Sequence, residues 1–157
     1  MLTKEMWQVQ NPGLGAALIW MFGRAYEAKA GFAVPLPYAF VTIPLLYNKA
    51  ILDVVSTTRK GLRKVEEKLS KDESIAAMTQ MNALSMRSLS SESLAIALRA
   101  GLVSIQLDEA TYRTQETTPP ELDETMPKVL LKSAEKLGRW ASEVSLREFC
   151  FIFHLEL

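Results

Sequence analysis

At 157 residues the chain has the size of one domain and enough length to bury a core without disulfides or metal. Eighteen Lys and Arg residues balance eighteen Asp and Glu residues, which excludes whole-molecule attraction to nucleic acid or anionic lipid, so any such contact must be local. The single cysteine, Cys150, excludes an internal disulfide framework and, flanked by Phe149 and Phe151, reads as a small buried hydrophobe.

The first residues, MLTKEMWQVQ, hold a charge pair, no apolar run and no small-residue cleavage site. They do not read as a secretory signal, and a cytoplasmic location is the expectation. Asn11 and Pro12 then form a helix start, with Asn as the N-cap and Pro at the first helical position, where its missing N–H costs nothing. The predicted helix, 12–29, is apolar around most of its circumference. Leu14, Ala17, Leu18, Met21 and Ala25 make one face, Ile19, Phe22 and Tyr26 a second, and Trp20 fills part of the gap.

An uncharged run between Lys29 and Lys49 follows, containing GFAVPLPYAFVTIPLLY. A membrane helix needs about 20 apolar residues in continuous register, and Pro35, Pro37 and Pro44 would break several backbone bonds where no water replaces them. The segment reads as an extended VPLP stretch and two short apolar helices, the second starting near Pro44 and carrying Leu45, Ile51, Val54 and Val55 inward. Residues 11–55 thus form an apolar helical half with more hydrophobic surface than one small domain readily covers, and such patches mark interfaces. Leu18, Trp20, Phe22, Tyr38, Phe40 and Leu45 are the expected protein contacts.

From Ser56 to Glu73 the composition turns to dense mixed charge. Arg59, Lys60, Arg63 and Lys64 precede Glu66 and Glu67, and Leu62, Val65 and Leu69 supply a thin apolar stripe. A solvated helix with local ion pairs accounts for this pattern. The sharper reading is a contact patch for phosphate or for an acidic partner surface.

Residues 74–116 carry helix, helix and hairpin. IAAMTQMNAL is helical, Ser91 caps a helix from about Glu92 to Ala100, and Gly101 ends it. Val103, Ile105 and Leu107 alternate with polar residues, Asp108 to Ala110 turn, and Tyr112 and Thr114 begin the return strand. This order is winged-helix-like. Arg87 and Arg99 are its possible DNA contacts, but Asp108 and Glu109 occupy a turn where a DNA-contacting wing favours Lys or Arg, so a protein-interaction module fits the charges better.

ETTPPELDE reads as a loop from its prolines and acids. Within 125–145 a final amphipathic helix begins near Met126, with Met126, Leu130, Ala134, Leu137, Ala141 and Val144 in one stripe opposite Lys132, Glu135, Arg139 and Glu143. FCFIFHLEL follows, a short apolar stretch of strand-like residues that tucks against the core or a partner. The expected fold is one domain over 1–157, mainly α with a small β-hairpin, a winged-helix-like α+β arrangement.

No complete catalytic motif is present. One histidine, His154, and one cysteine do not build a structural zinc site, and neither a phosphate-binding loop nor a dinucleotide fingerprint occurs. The paired acids Glu66 and Glu67, Asp72 and Glu73, and Asp108 and Glu109 sit in charged or turn contexts, without the apolar surroundings that raise a catalytic pKa. The expectation is a protein that binds rather than reacts, without cofactor or metal.

An ordered series of short signals runs along nearly the whole chain: Asn11-Pro12, Leu14-Gly15, Leu18-Ile19-Trp20 and Phe22, Pro35-Leu36-Pro37, Ile43-Pro44-Leu45-Leu46, Gly61-Leu62-Arg63-Lys64, Ala97-Leu98-Arg99-Ala100-Gly101-Leu102 and Leu137-Gly138-Arg139-Trp140. It resembles the small middle component of bacterial three-component ABC systems, defence operons akin to Lamassu. The resemblance implies a non-catalytic adaptor subunit of an anti-phage complex, placed between an SMC-like ABC ATPase and an effector component, with DNA reached through the complex. Two other readings rest on the residues alone: a winged-helix DNA-binding transcriptional regulator using Arg87 and Arg99, and membrane association through residues 30–48.

Overall fold

A computed structural model describes residues 11–117 and 127–156. Helix α1 (Pro12–Ala30) starts as its sequence dictates, with the Asn11 side chain accepting from the Leu14 N–H at 3.1 Å and Pro12 in the first turn. Every residue from Leu14 to Trp20 is buried, so α1 is covered on all sides over its first half, while Arg24, Ala28 and Lys29 in its second half reach solvent. The rest of the chain is built around it.

The uncharged run breaks into four short pieces: β1 (Val34–Pro35), a 3-10 helix (Leu36–Phe40), α2 (Thr42–Leu46) and α3 (Lys49–Thr57). The expected extended stretch is thus confined to two residues, and Pro44 lies inside α2. The Asn48 side chain caps α3, accepting from the Ala50 and Ile51 N–H groups, and Ile51 and Val55 point inward as the periodicity predicts. Next come α4 (Leu62–Leu69), which buries Leu62, Val65 and Leu69, and α5 (Glu73–Ser85), capped by Asp72. Helix α6 (Arg87–Arg99) starts four residues before the Ser91 expected as its cap. Ser91 is exposed within the helix, and packing of Leu89, Leu94 and Ala97 on the core carries the helical path past it.

Strands β2 (Val103–Gln106) and β3 (Thr111–Thr114) form the expected hairpin. β1 joins it on the far edge of β3, giving an antiparallel sheet of order β1-β3-β2 in which Val34 and Ile105 flank Tyr112. Three bonds from β3 and one from the residue after it tie the sheet to α1. The Tyr112 hydroxyl donates to the Ile19 carbonyl at 3.1 Å, one Glu27 carboxylate oxygen accepts from both the N–H and the hydroxyl of Thr114 at 2.7 Å, and the Trp20 indole donates to the Gln115 carbonyl at 2.9 Å. Gly23 makes this approach possible, because a Cβ there would run into the Tyr112 ring and the Thr114 methyl.

Helix α7 (Lys128–Ala141) buries Leu130, Ala134, Leu137 and Ala141 and exposes Lys132, Glu135 and Arg139, as its stripe requires. Met126, where the helix was expected to begin, lies outside the described residues. Gly138 sits against the Phe22 backbone, where any Cβ would collide with main-chain atoms, so the two helices cross at contact distance. Lys136 spans from α7 to the end of α3, donating to the carbonyls of Val55 (3.3 Å), Ser56 (3.0 Å) and Thr58 (3.0 Å). A lysine thereby closes a helix C-terminus that has no glycine cap.

The last apolar stretch is a helix, α8 (Leu146–Ile152), where strand-like residues were expected. Ser145 caps it by accepting from the Glu148 N–H at 3.0 Å. Phe149, Cys150, Ile152 and Phe153 fall on one helical side and enter the core, with the Phe149 ring edge-on to Tyr38 at 5.0 Å. The fold is therefore mainly helical with a small three-stranded antiparallel sheet, one α+β domain. Among the described residues no helix is long and apolar enough to cross a membrane.

Candidate protein interface

The residues expected to meet a partner are turned inward. Leu18, Phe22 and Leu45 are wholly buried, Tyr38 and Trp20 nearly so, and Phe40 is partly buried against the same core. Phe22, Tyr26, Tyr38, Phe149 and Phe153 form one aromatic cluster, with centroid separations between 4.8 and 6.5 Å. The uncharged run is thus the chain's own core, which corrects its reading as a surface awaiting cover. Phe32 is its exposed exception, standing edge-on to Tyr26.

Large apolar side chains also stay exposed singly at Leu98, Leu107, Val129 and Phe151, while three more share one helix, α5. Met78, Met81 and Leu84 are 55%, 69% and 55% exposed, and Thr79 is the one residue of the helix that is buried. Residues 74–86, SIAAMTQMNALSM, contain no charge, while Asp72 and Glu73 stand at one end and Arg87 just past the other. Its apolar residues are spread around the circumference, so docking one side on the core leaves the other side bare. A hollow of about 330 Å³ beside it is lined by Tyr47, Asn48, Ile75, Met78 and Asn82. Methionines on such a surface adapt their shape to whatever packs on them.

The signal for this face was present in the sequence. Twelve successive uncharged positions in a surface helix are unusual, but the pattern of IAAMTQMNAL predicts only a helix, and the expected contacts fall within residues 11–55. Helix α5 is also clipped to the chain's last turn. Gln80 donates to the Glu156 carbonyl at 3.2 Å and accepts from the Glu156 N–H at 2.9 Å.

Of the expected cationic contacts, Arg59 and Lys60 occupy the loop between α3 and α4, with Arg63 and Lys64 in the first turn of α4. Lys64 pairs with Glu67 at 3.3 Å. Arg87 and Arg99 are the first and last residues of α6, about 18 Å apart along its axis. They do not form one patch.

Burial raises the Cys150 thiol above its ordinary range, which keeps it protonated and unreactive near neutral pH. Among the described residues no group of three His, Cys, Asp or Glu side chains is placed to hold a metal ion. No curated protein and no solved structure matches the chain. The family model described as ABC-three component (ABC-3C) system Middle Component 3 matches residues 1–154, almost the full length, and by that match the chain belongs to the family of ABC three-component system middle components.

Proposed function

We propose that the chain is a non-catalytic accessory subunit of an anti-phage three-component ABC complex, joining an SMC-like ATPase to an effector component, and that a partner subunit covers α5. The carrying observation is the exposed, uncharged Met78-Met81-Leu84 face on a chain whose family works as one of several components. An apolar surface of this kind on a small domain is costly to leave in water and is the ordinary mark of a protein contact. We read the element order, a first helix, β1, further helices, then the β2–β3 hairpin in a β1-β3-β2 sheet, as a winged-helix arrangement with α6 in the recognition position. The exposed residues of α6 include Ser88, Ser91, Glu92 and Arg99, and the wing turn carries Asp108 and Glu109, which suits a protein-binding module better than a DNA-reading one.

The test is co-expression with the neighbouring components and co-purification through a tag on the ATPase. The parent chain co-elutes in fixed ratio, and a Met78→Asp, Met81→Asp variant with unchanged circular dichroism is lost from the complex. Undiminished co-elution of that variant would remove α5 from the interface. Absence of co-elution for the parent chain would remove the adaptor reading itself.

A further inference from the structure

A second surface stands apart from α5 and carries charge instead of apolar side chains. Residues 59–68 hold Arg59, Lys60, Arg63, Lys64 and Lys68 against Glu66 and Glu67, and residues 132–139 hold Lys132, Lys136 and Arg139 against Glu135. In a chain of zero net charge, these two short stretches are strongly positive. The fold brings them together at Thr58. Lys68 donates to the Thr58 hydroxyl at 2.8 Å and Lys136 donates to the Thr58 carbonyl at 3.0 Å, so two ammonium groups are held around one residue, with Arg59 next in the chain.

Arg139 follows Lys136 by one turn of α7 and Lys132 precedes it by one, extending the cluster into a ridge about 10 Å long on that helix. Arg59, Lys132 and Arg139 are exposed, while Lys68 and Lys136 are half-buried. Among the described residues none of these five pairs with a carboxylate: Glu67 is taken by Lys64, Glu143 by Lys29 and Glu27 by Arg113. Glu135, the one acid of the α7 stretch, lines a hollow with Lys29, Arg139 and two alanines of α1. Burial, followed by the charges of Arg139, Arg59 and Lys68, lowers the Lys136 pKa from the usual lysine range, as expected where cations crowd without anions between them.

Part of this arrangement is structural, because the carbonyl end of α3 offsets the Lys136 charge. That leaves Arg59, Lys68, Lys132 and Arg139. Cations assembled from two stretches more than 60 residues apart, with Glu135 the one acid on their stretch of α7 and no ion pair to it among the described residues, repel one another and favour an anion that neutralises them.

We propose that this ridge binds the phosphate backbone of duplex nucleic acid. The residues joined at Thr58 and along the outer side of α7 are charged or hydroxylic, with Val129 in the first turn of α7 the one exposed large apolar side chain beside them among the described residues. A protein interface keeps charge out of its centre, whereas interfaces with nucleic acid are polar and strongly positive. A membrane-surface helix would likewise need exposed apolar residues between its cations. The contact is with phosphate and reads no base sequence. It involves neither Arg87 nor Arg99, the DNA contacts the hairpin arrangement would suggest, and it does not depend on what covers α5.

The test uses the full chain and a labelled duplex of about 20 base pairs, followed by fluorescence anisotropy between about 50 and 200 mM salt. The parent chain binds duplexes of unrelated sequence equally, and its affinity falls steeply with salt. The Arg59→Ser, Lys132→Ser, Arg139→Ser variant alters exposed side chains only, and a thermal melt checks that it stays folded. It binds at least about tenfold more weakly, with a salt slope shallower by about 2 to 3, as loss of three phosphate contacts requires. An Arg87→Ser, Arg99→Ser variant binds like the parent. The proposal is overturned by absence of salt-dependent duplex binding at about 50 mM salt. Binding unchanged in the triple variant, binding lost in the Arg87 and Arg99 variant instead, or polyglutamate captured more tightly than duplex would each overturn it as well.

Discussion

Residues 31–47 and residues 74–86 are both free of charge, and the fold treats them in opposite ways. In the first, Val34, Tyr38, Ile43, Leu45 and Leu46 are sealed from water. In the second, Thr79 alone is buried. The difference lies in how each backbone is divided. Prolines at 35, 37 and 44 cut the first stretch into pieces of two to five residues that bend around α1, so successive side chains reach the core from different directions. The second is one continuous helix, and a continuous helix offers the core one side only. Lack of charge therefore marks a demand for cover, while the local geometry decides whether the chain supplies it.

The comparison is broken most severely by Leu45→Ala. The side chain is fully buried, so its truncation costs about 2 to 5 kcal/mol in denaturant unfolding. A loss below about 1 kcal/mol would mean that the 31–47 segment is not core after all. Tyr38→Phe has a smaller effect of opposite sign. Among the described residues its hydroxyl is buried without a hydrogen-bond partner, and removing it leaves stability unchanged or improves it by up to about 1 kcal/mol. A clear destabilisation would show that the hydroxyl has a bonded partner. Met81→Ser changes the stability of the isolated chain least, by less than about 0.5 kcal/mol, because the side chain is 69% exposed. If it instead destabilises the lone chain by more than about 1 kcal/mol, α5 packs on the chain itself and the contrast between the two stretches disappears.

What was legible in the sequence is what obeys local rules. Asn11 and Pro12 announce α1 because a cap and a fixed φ act within one turn. The stripe through Leu130, Ala134, Leu137 and Ala141 announces α7 because its period matches the helix. Pairing of Val34 with Tyr112 was not legible, since no property of a two-residue strand identifies a partner so distant in the chain. Ser91 misled for a related reason: its capping chemistry is real, but packing of Leu89, Leu94 and Ala97 on the core favours a helix that already includes it. For the candidate surfaces, Arg59 was visible as a member of a basic run. Its grouping with Lys136 and Arg139 arises where the loop after α3 meets α7 at Thr58, which spacing along the chain does not encode.

The crossing of α1 and α7 at Gly138 has a mechanical meaning. Two helices whose backbones touch at Phe22, with no side chain between them to act as a compliant spacer, resist sliding and rocking at that point. A force applied to Arg139, one residue further along α7, is carried directly into the helix at the centre of the domain. From there the bonds of Glu27 to Thr114 and of Ile19 to Tyr112 hand it to the sheet. The α7, α1 and β3 elements are thereby coupled through direct backbone and hydrogen-bond contacts, with α1 the common link.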